Sequence, residues 1–383
     1  MSNKKMDDLI VNFITNNISE QELLRLNKWL ENSDNRTYFD NYIKINYLVD
    51  VSTPFNKQDS WIKIKNKINA KNRKIKTLAY KFTAAASIVL FISFLIYFNN
   101  DRVKTTDLPV VENNTIEVGT NKATLTLQDG TEILLQKGKE YKNNNLDSNG
   151  EKIVYNPSSK KNTEVVYNYL TIPRGGLYHI VLSDGTEVWL NSETKLKYPT
   201  AFVDGAERSV ELIYGEAYFE VSPSTAHKGA KFKVVSALQE VQVLGTQFNI
   251  KAYKDENFIY TTLVEGKVAM IHGNQKDALL PEQQFILNTT NSDFKIEKVD
   301  VYSEIAWKKG LFSFKNKSLK DIMVVLARWY DVDFVFADKK LEDIQFKGVL
   351  SKNQNIEDIL TLIKNTNFID AYEINNNTIT LKN

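Results

Sequence analysis

The hydrophobic and polar positions change period several times along the chain. From Phe82 to Phe98 there is no period: FTAAASIVLFISFLIYF is uncharged and holds ten Phe, Ile, Leu or Val residues. Each of these favours mid-membrane insertion by about 0.3 to 0.6 kcal/mol. At about 1.5 Å per residue the stretch nearly matches a hydrocarbon core, and Leu78 to Tyr80 extend it if Lys81 snorkels. The pattern predicts a transmembrane helix over 78–98, with Phe82, Ile88, Leu90, Phe91, Phe94, Leu95 and Phe98 as its apolar residues. A buried core helix fits less well, because such helices rarely lack a polar stripe. A signal peptide so far into the chain fits worse still.

Before this stretch the period is helical. Leu9, Ile10, Phe13 and Ile14 form one apolar face, and Ser19–Glu22 (SEQE) is a capping box that opens a helix carrying Leu23, Leu26, Trp29 and Leu30. Tyr38, Phe39, Tyr42, Ile43 and Leu48 mark a third helix, and Trp61, Ile64 and Ile68 a fourth. Residues 1–75 therefore read as a small all-α bundle. A bundle of this size buries little core, so some of its aromatic surface is left for a partner.

Beyond a polar tether at 99–115 the period falls to two. LTLQDGTEILL (125–135) and IVLSDGTEVWL (180–190) repeat one another, each a strand, an Asp-Gly turn and a second strand. Lys137 to Asn162 is polar and reads as a surface excursion. Strands continue to about Lys298, with Gly205, Gly215, Gly245 and Gly266 suited to a sandwich or to a solenoid turning at each glycine. The span 116–300 is thus expected to be a mainly-β domain. From 307 to 383 a second repeat appears: SLKDIMVVL (318–326) and NIEDILTLI (355–363), with Ser318 and Asn355 as N-caps, each followed by a β-rich run. It predicts an α+β module of two βαβ units, and the whole chain is expected to be multidomain.

Charge orients this plan. Lys63, Lys65, Lys67, Lys71, Arg73, Lys74, Lys76 and Lys81 precede the apolar stretch with no acid among them, whereas Asp101, Asp107, Glu112 and Glu117 outnumber Arg102 and Lys104 after it. By the positive-inside rule residues 1–81 are expected to stay in the cytoplasm and everything after Asn99 to be exported, in a single-pass topology. A basic run against a membrane span meets anionic lipid more readily than nucleic acid. The net charge of +2 adds nothing further.

Candidate chemistry is sparse. With no cysteine there is no thiolate nucleophile, thiolate metal site or disulfide. His179, His227 and His272 are not at metal-ligand spacing, and HExxH, GxxxxGK[ST], GxSxG and GxGxxG are absent. Asp129, Asp184, Glu132 and Glu187 flank the Asp-Gly turns, where aspartate is chiefly a turn device. No cofactor and no metal is implied.

Four stretches in order, IPRGGLYHIVLSDGTEVWLNSETKLKYP (172–199), RSVELIYGEAYFEVSP (208–223), VQVLGTQFNIKAY (241–253) and TTLVEGKVAM (261–270), resemble the FecR (ferric-citrate regulator) family of transmembrane anti-sigma factors. WKKGLFSF (307–314) and ARWYDVDFVF (327–336) resemble the C-terminal module that often follows, and ISEQELLRLNKWLENSDNRTYFDNY (18–42) the sigma-binding domain. One departure is Pro281–Gln284 (PEQQ), where the family commonly has Pro-Gly-Gln. The resemblance implies a non-enzymatic regulator that binds an extracytoplasmic-function sigma factor, with Leu23, Leu26, Trp29, Leu30, Tyr38, Phe39 and Tyr42 as the expected contact residues. It also implies sensing of the signalling domain of an outer-membrane TonB-dependent transporter and a regulatory protease, and with the charge bias it implies an inner-membrane, single-pass localisation with a cytoplasmic N-terminus and periplasmic C-terminal domains. Outside the basic run the chain is mildly acidic, which argues against direct contact with nucleic acid. The alternative is a membrane-anchored periplasmic glycan-binding protein, with Trp189, Tyr198 and Tyr218 stacking on sugars, although alternating strands favour core packing for them.

Overall fold

The strand region closes on itself because one strand is long enough to serve two sheets. The computed structural model describes residues 9, 20–30, 35, 116–143, 146–155, 165–366 and 368–383. Helix α1 (Glu20–Trp29) is followed in the described structure by β1 (Thr120–Thr126), β2 (Glu132–Gln136), β3 (Tyr141–Lys142), β4 (Leu146–Ser148) and β5 (Lys152–Tyr155). Next come β6 (Tyr167–Ile172), β7 (Gly176–Val181), β8 (Glu187–Leu190), β9 (Thr194–Pro199) and the long β10 (Arg208–Glu220). The first half of β10 pairs with β9 and its second half with β8. Since β9 pairs with β6, β6 with β1, β1 with β7 and β7 with β8, these strands form a closed ring.

Alternation fills the ring. Along β7 and β8 the side chains of Tyr178, Ile180, Val188 and Leu190 point inward and are buried, while those between them are only half-buried. Inside, Tyr155 and Tyr198 share a hydroxyl hydrogen bond at 3.1 Å and Asn168 Nδ2 donates to Tyr155 at 2.7 Å, so the polar tips of this core are satisfied. The crossing of β10 between sheets needs Gly215, at φ +101°, because a Cβ there would lie 2.3 Å from Thr194 Oγ1. The two Asp-Gly hairpins form as expected, β1 with β2 and β7 with β8, with Gly130 and Gly185 at φ near +84° and +80°.

Two wings extend from β10. On one side run β11 (Phe232–Ser236), β12 (Gln239–Val243), β15 (Val268–His272) and β16 (Gln275–Leu279); on the other β13 (Gln247–Ala252), β14 (Phe258–Glu265), β17 (Gln283–Asn288) and β18 (Phe294–Lys298). Between the wings lies a core that includes Phe219, Phe248 and Phe285 and continues that of the ring. At the turn into β17 the family's usual glycine is Glu282, held at φ +69°. A non-glycine residue there costs about 1 kcal/mol. Glu282→Gly is expected to raise stability by about half that or more, read as a higher urea midpoint. An unmoved midpoint would mean that this turn is unstrained.

Helix α2 (Val301–Ile305) and the turn Ala306–Lys309 then strap the β14 side of the barrel and lead into the C-terminal module. The module comprises β19 (Leu311–Ser318), α3 (Leu319–Tyr330), β20 (Asp333–Phe336), β21 (Gln345–Ser351), α4 (Ile356–Lys364), β22 (Ala371–Asn375) and β23 (Thr378–Lys382). Ser318 Oγ caps α3 by accepting from Asp321 N–H at 3.0 Å, whereas Asn355 sits at the N-cap of α4 without a side-chain bond. The expected βαβ units do not each share one sheet. Strand β19 pairs with β21, and β20 runs parallel to β23 in a separate sheet with β22. Asp331, at φ +53°, turns the chain directly after α3 and Asn377 Nδ2 donates to its carbonyl at 3.1 Å, which sets β20 beside β23.

The expected composite fold is therefore corrected to a mainly-β architecture around a closed ring, in place of a solenoid or simple sandwich. Of the predicted bundle, the described structure contains α1 and helical residues Leu9 and Asn35. The inner-membrane, single-pass localisation is corrected as well: among the described residues no helix is long and apolar enough to cross a membrane. The two main helices of the C-terminal module, α3 and α4, carry one apolar stripe among charged residues and bury it against the module core. Phe82, Ile88, Leu90, Phe91, Phe94, Leu95 and Phe98, together with the tether at 99–115, lie outside the described residues.

Candidate functional site

Ring and module are joined by two arginines that reach in opposite directions. The turn Pro173–Gly176 between β6 and β7 holds Gly175 at φ +67°, and its N–H donates to the carbonyl of Arg328 at 2.7 Å. Beside it Arg174 pairs with Asp333 at 3.0 Å and Asp331 at 3.5 Å, and donates to the carbonyls of Ala327, at 3.1 Å, and Val332. A guanidinium thus sits at the C-terminal end of α3, where the carbonyls lack helical donors and the dipole favours a cation.

Arg328 reaches back from α3. Its Nη2 donates to both oxygens of Asp255 at 2.6 and 2.8 Å, its Nη1 to Glu256 at 2.8 Å and its Nε to Glu193 at 3.2 Å. The guanidinium also lies 3.6 Å above the Tyr253 ring, and the residue is 5% exposed. Planar bidentate pairing with a stacked face is what arginine does and lysine cannot. Next to it Trp329 covers Gly119 so closely that a Cβ would come within 2.7 Å of the indole.

Behind the arginines lies a buried polar relay. Lys352 Nζ donates to Asn191 Oδ1 at 3.3 Å and lies 3.6 Å above the Trp329 ring; Asn191 Nδ2 donates to Glu216 at 2.8 Å, as does Asn249 at 3.0 Å. Burial pushes the Glu216 carboxyl up, and burial holds the Lys352 ammonium down to about 7. The folded protein therefore binds fewer protons at Lys352 than the unfolded chain between pH 7 and the ordinary lysine value of 10.5. Stability from this group is present above the ordinary value and is lost as pH falls toward 7. Urea titrations at stepped pH should show this rise with pH, and Lys352→Met should flatten it; an identical slope in the variant would remove Lys352 as its source.

Other predicted residues fall elsewhere. In α1, Leu26 and Leu30 are buried and Trp29 is half-buried, with Asn35 Nδ2 donating to the Trp29 carbonyl at 3.0 Å. Leu23 lies on the same helix, and Tyr38, Phe39 and Tyr42 lie outside the described residues. Tyr198 and Tyr218 are 0% and 2% exposed, and Trp189 stacks on His179 at 4.2 Å with Lys308 Nζ 3.6 Å above its ring, so this set offers no open platform for a sugar. Burial, then Lys152, hold His179 down to about 4. His227 contacts Ser222 at 2.9 Å and His272 contacts Asp277 at 3.1 Å. Among the described residues no His, Cys, Asp or Glu grouping could hold a metal ion.

Sequence reasoning missed Arg174, Arg328, Glu193 and Lys352. The available signal was position: both arginines sit inside the stretches that carry the family resemblance, next to a Gly-Gly pair and an aromatic pair.

Comparison with known proteins places the same stretches together. Residues 168–269 match the family model described as FecR protein, and residues 311–381 match the model described as FecR, C-terminal. Both arginines and all five of their carboxylate partners lie within these two matches. A crystal structure of a candidate anti-sigma factor from Parabacteroides distasonis ATCC 8503, at 1.65 Å resolution, is 30% identical with a TM-score of 0.50, covering 56% of this chain and 99% of that one. A second crystal structure of a candidate anti-sigma factor from the same organism, at 2.50 Å, is 29% identical with a TM-score of 0.50, covering 56% and 98%. No curated protein matches the chain.

Proposed function

The chain belongs to the FecR family of anti-sigma factors, and from that premise we propose that it is a binding regulator, not an enzyme, that holds an extracytoplasmic-function sigma factor through its N-terminal helical segment. Its C-terminal module receives the signal, from the signalling domain of a TonB-dependent transporter, and a regulatory protease acts downstream. The observation that carries this reading is the module's construction. It has its own core around Leu326, Ile359 and Leu381, and its two small sheets leave strand edges unpaired among the described residues, while two arginines tie it to the ring. A free edge can accept a strand from a partner. A joint that combines ion pairs with a small apolar contact from Ile116, Val118 and Leu177 can release more readily than a wholly apolar one.

Co-purification of the full chain with the sigma factor of its own cell tests the first half. Trp29→Ala in α1 is expected to weaken that complex by about tenfold or more, with helicity measured alongside to separate lost contact from lost fold in so small a helical segment. A folded chain that captures no sigma factor would overturn the reading. For the second half, a chain lacking residues 311–383 should still bind the sigma factor and no longer respond to the transporter's signalling domain. An intact response would move sensing to the barrel.

A further inference from the structure

Between the ring and the module lies a cavity of about 510 Å³, a volume that suits a small molecule. The acidic groups facing it are already supplied with donors. Glu216 accepts from Asn191 and Asn249, Glu256 from Lys251 and Arg328, Asp255 from Arg328, and Glu304 from Gln284. Asp321 is exposed to water.

Two donors are not used up. Lys352 has three N–H groups, is 2% exposed and has one hydrogen-bond partner among the described residues, the neutral Asn191 Oδ1 at 3.3 Å. Trp307 is 7% exposed, and its buried indole N–H has no partner among the described residues. Both residues line the same cavity, together with Tyr260, Phe312 and Trp329. Leaving such donors unmatched in a buried site is costly, and an acceptor bearing charge would satisfy them best. Burial pushes the Glu216 carboxyl toward its neutral form, so the one incompletely matched ammonium balances a single negative charge, and a dianion such as phosphate would bring an unbalanced one.

We infer that this cavity binds a small aromatic carboxylate, whose oxygens accept from Lys352 Nζ and Trp307 Nε1 and whose ring meets the aromatic lining. A ligand there touches ring and module at once, so its binding strengthens their docking by mass action.

The test uses the purified full chain with benzoate as the probe and benzamide as its neutral counterpart. Calorimetry gives the affinities, and the indole N–H resonance of Trp307, assigned through Trp307→Phe, reports the site. Benzoate should bind saturably, move that resonance, and bind about tenfold or more tighter than benzamide. Lys352→Met, which keeps an unbranched apolar stem, should weaken benzoate by a similar factor. Absence of saturable benzoate binding, an unmoved Trp307 resonance, or equal affinity for benzamide would overturn the inference. The benzamide comparison is made on the unaltered chain, so it decides the matter even if the variant misfolds.

Discussion

Replacing Arg208 with methionine is expected to destabilise the barrel by about 3 to 5 kcal/mol, because it strands a buried carboxylate. Arg208 Nη1 lies 2.7 Å from Asp184 Oδ2, and both side chains are 2% exposed. The guanidinium also donates to the carbonyls of Ser222 and Ala230 at 3.0 and 3.1 Å and lies 5.4 Å above the Phe232 ring. Adding Asp184→Asn to the variant removes the unpaired charge and keeps an acceptor for Thr186 N–H, which now bonds Asp184 at 3.0 Å. The double variant should therefore recover much of the loss, a coupling that a double-mutant cycle in urea measures directly. A single-variant loss below about 1 kcal/mol would mean that solvent reaches the site.

The second large effect is expected at the joint. Arg328→Met removes one guanidinium from three carboxylates at once, a loss of about 3 kcal/mol given that two of the three remain partly in water. Glu193 and Asp255 side chains are 43% and 61% exposed, while Glu256 is 20% exposed. The loss should fall on docking more than on folding, since Leu326, Ile322 and Met323 bury the other face of α3 within the module's own core. Hydrogen exchange is expected to quicken at Gly175 and through the Val301–Lys309 strap while the amides of α3 stay protected. Unchanged exchange at Gly175 would show that the Arg328 ion pairs do not hold the joint.

The local periods of the chain were readable wherever a segment's partner lay nearby. Both Asp-Gly hairpins follow from LTLQDGTEILL and IVLSDGTEVWL, because the turn fixes the register of its own two strands. Ser318 could be read as a cap because it acts within one helical turn. Closure could not be read: the pairing of β1 with β6 and β7 joins residues far apart in sequence, and alternation is the same in a sandwich, a solenoid or a ring. The double role of Asp184, at once turn residue and buried ion partner, was hidden for the same reason, since Arg208 lies in another strand. The candidate site was the least legible part. Arg328 looks like one more basic residue on an amphipathic helix until Glu193, Asp255 and Glu256 are brought beneath it.

The length of β10 sets how a disturbance can pass through this molecule. Its residues Arg208 to Tyr214 and Gly215 to Glu220 are stitched to different neighbours, yet they are one continuous backbone. Neither sheet can come apart without pulling the other, so the barrel should behave as a single cooperative folding unit, with β10 amides exchanging only on global opening. A push delivered at the Arg174 turn would then be transmitted as the displacement of a stiff body, with strand melting too expensive to serve as the signal. The barrel should therefore move as one body, with any bending expected at its ends.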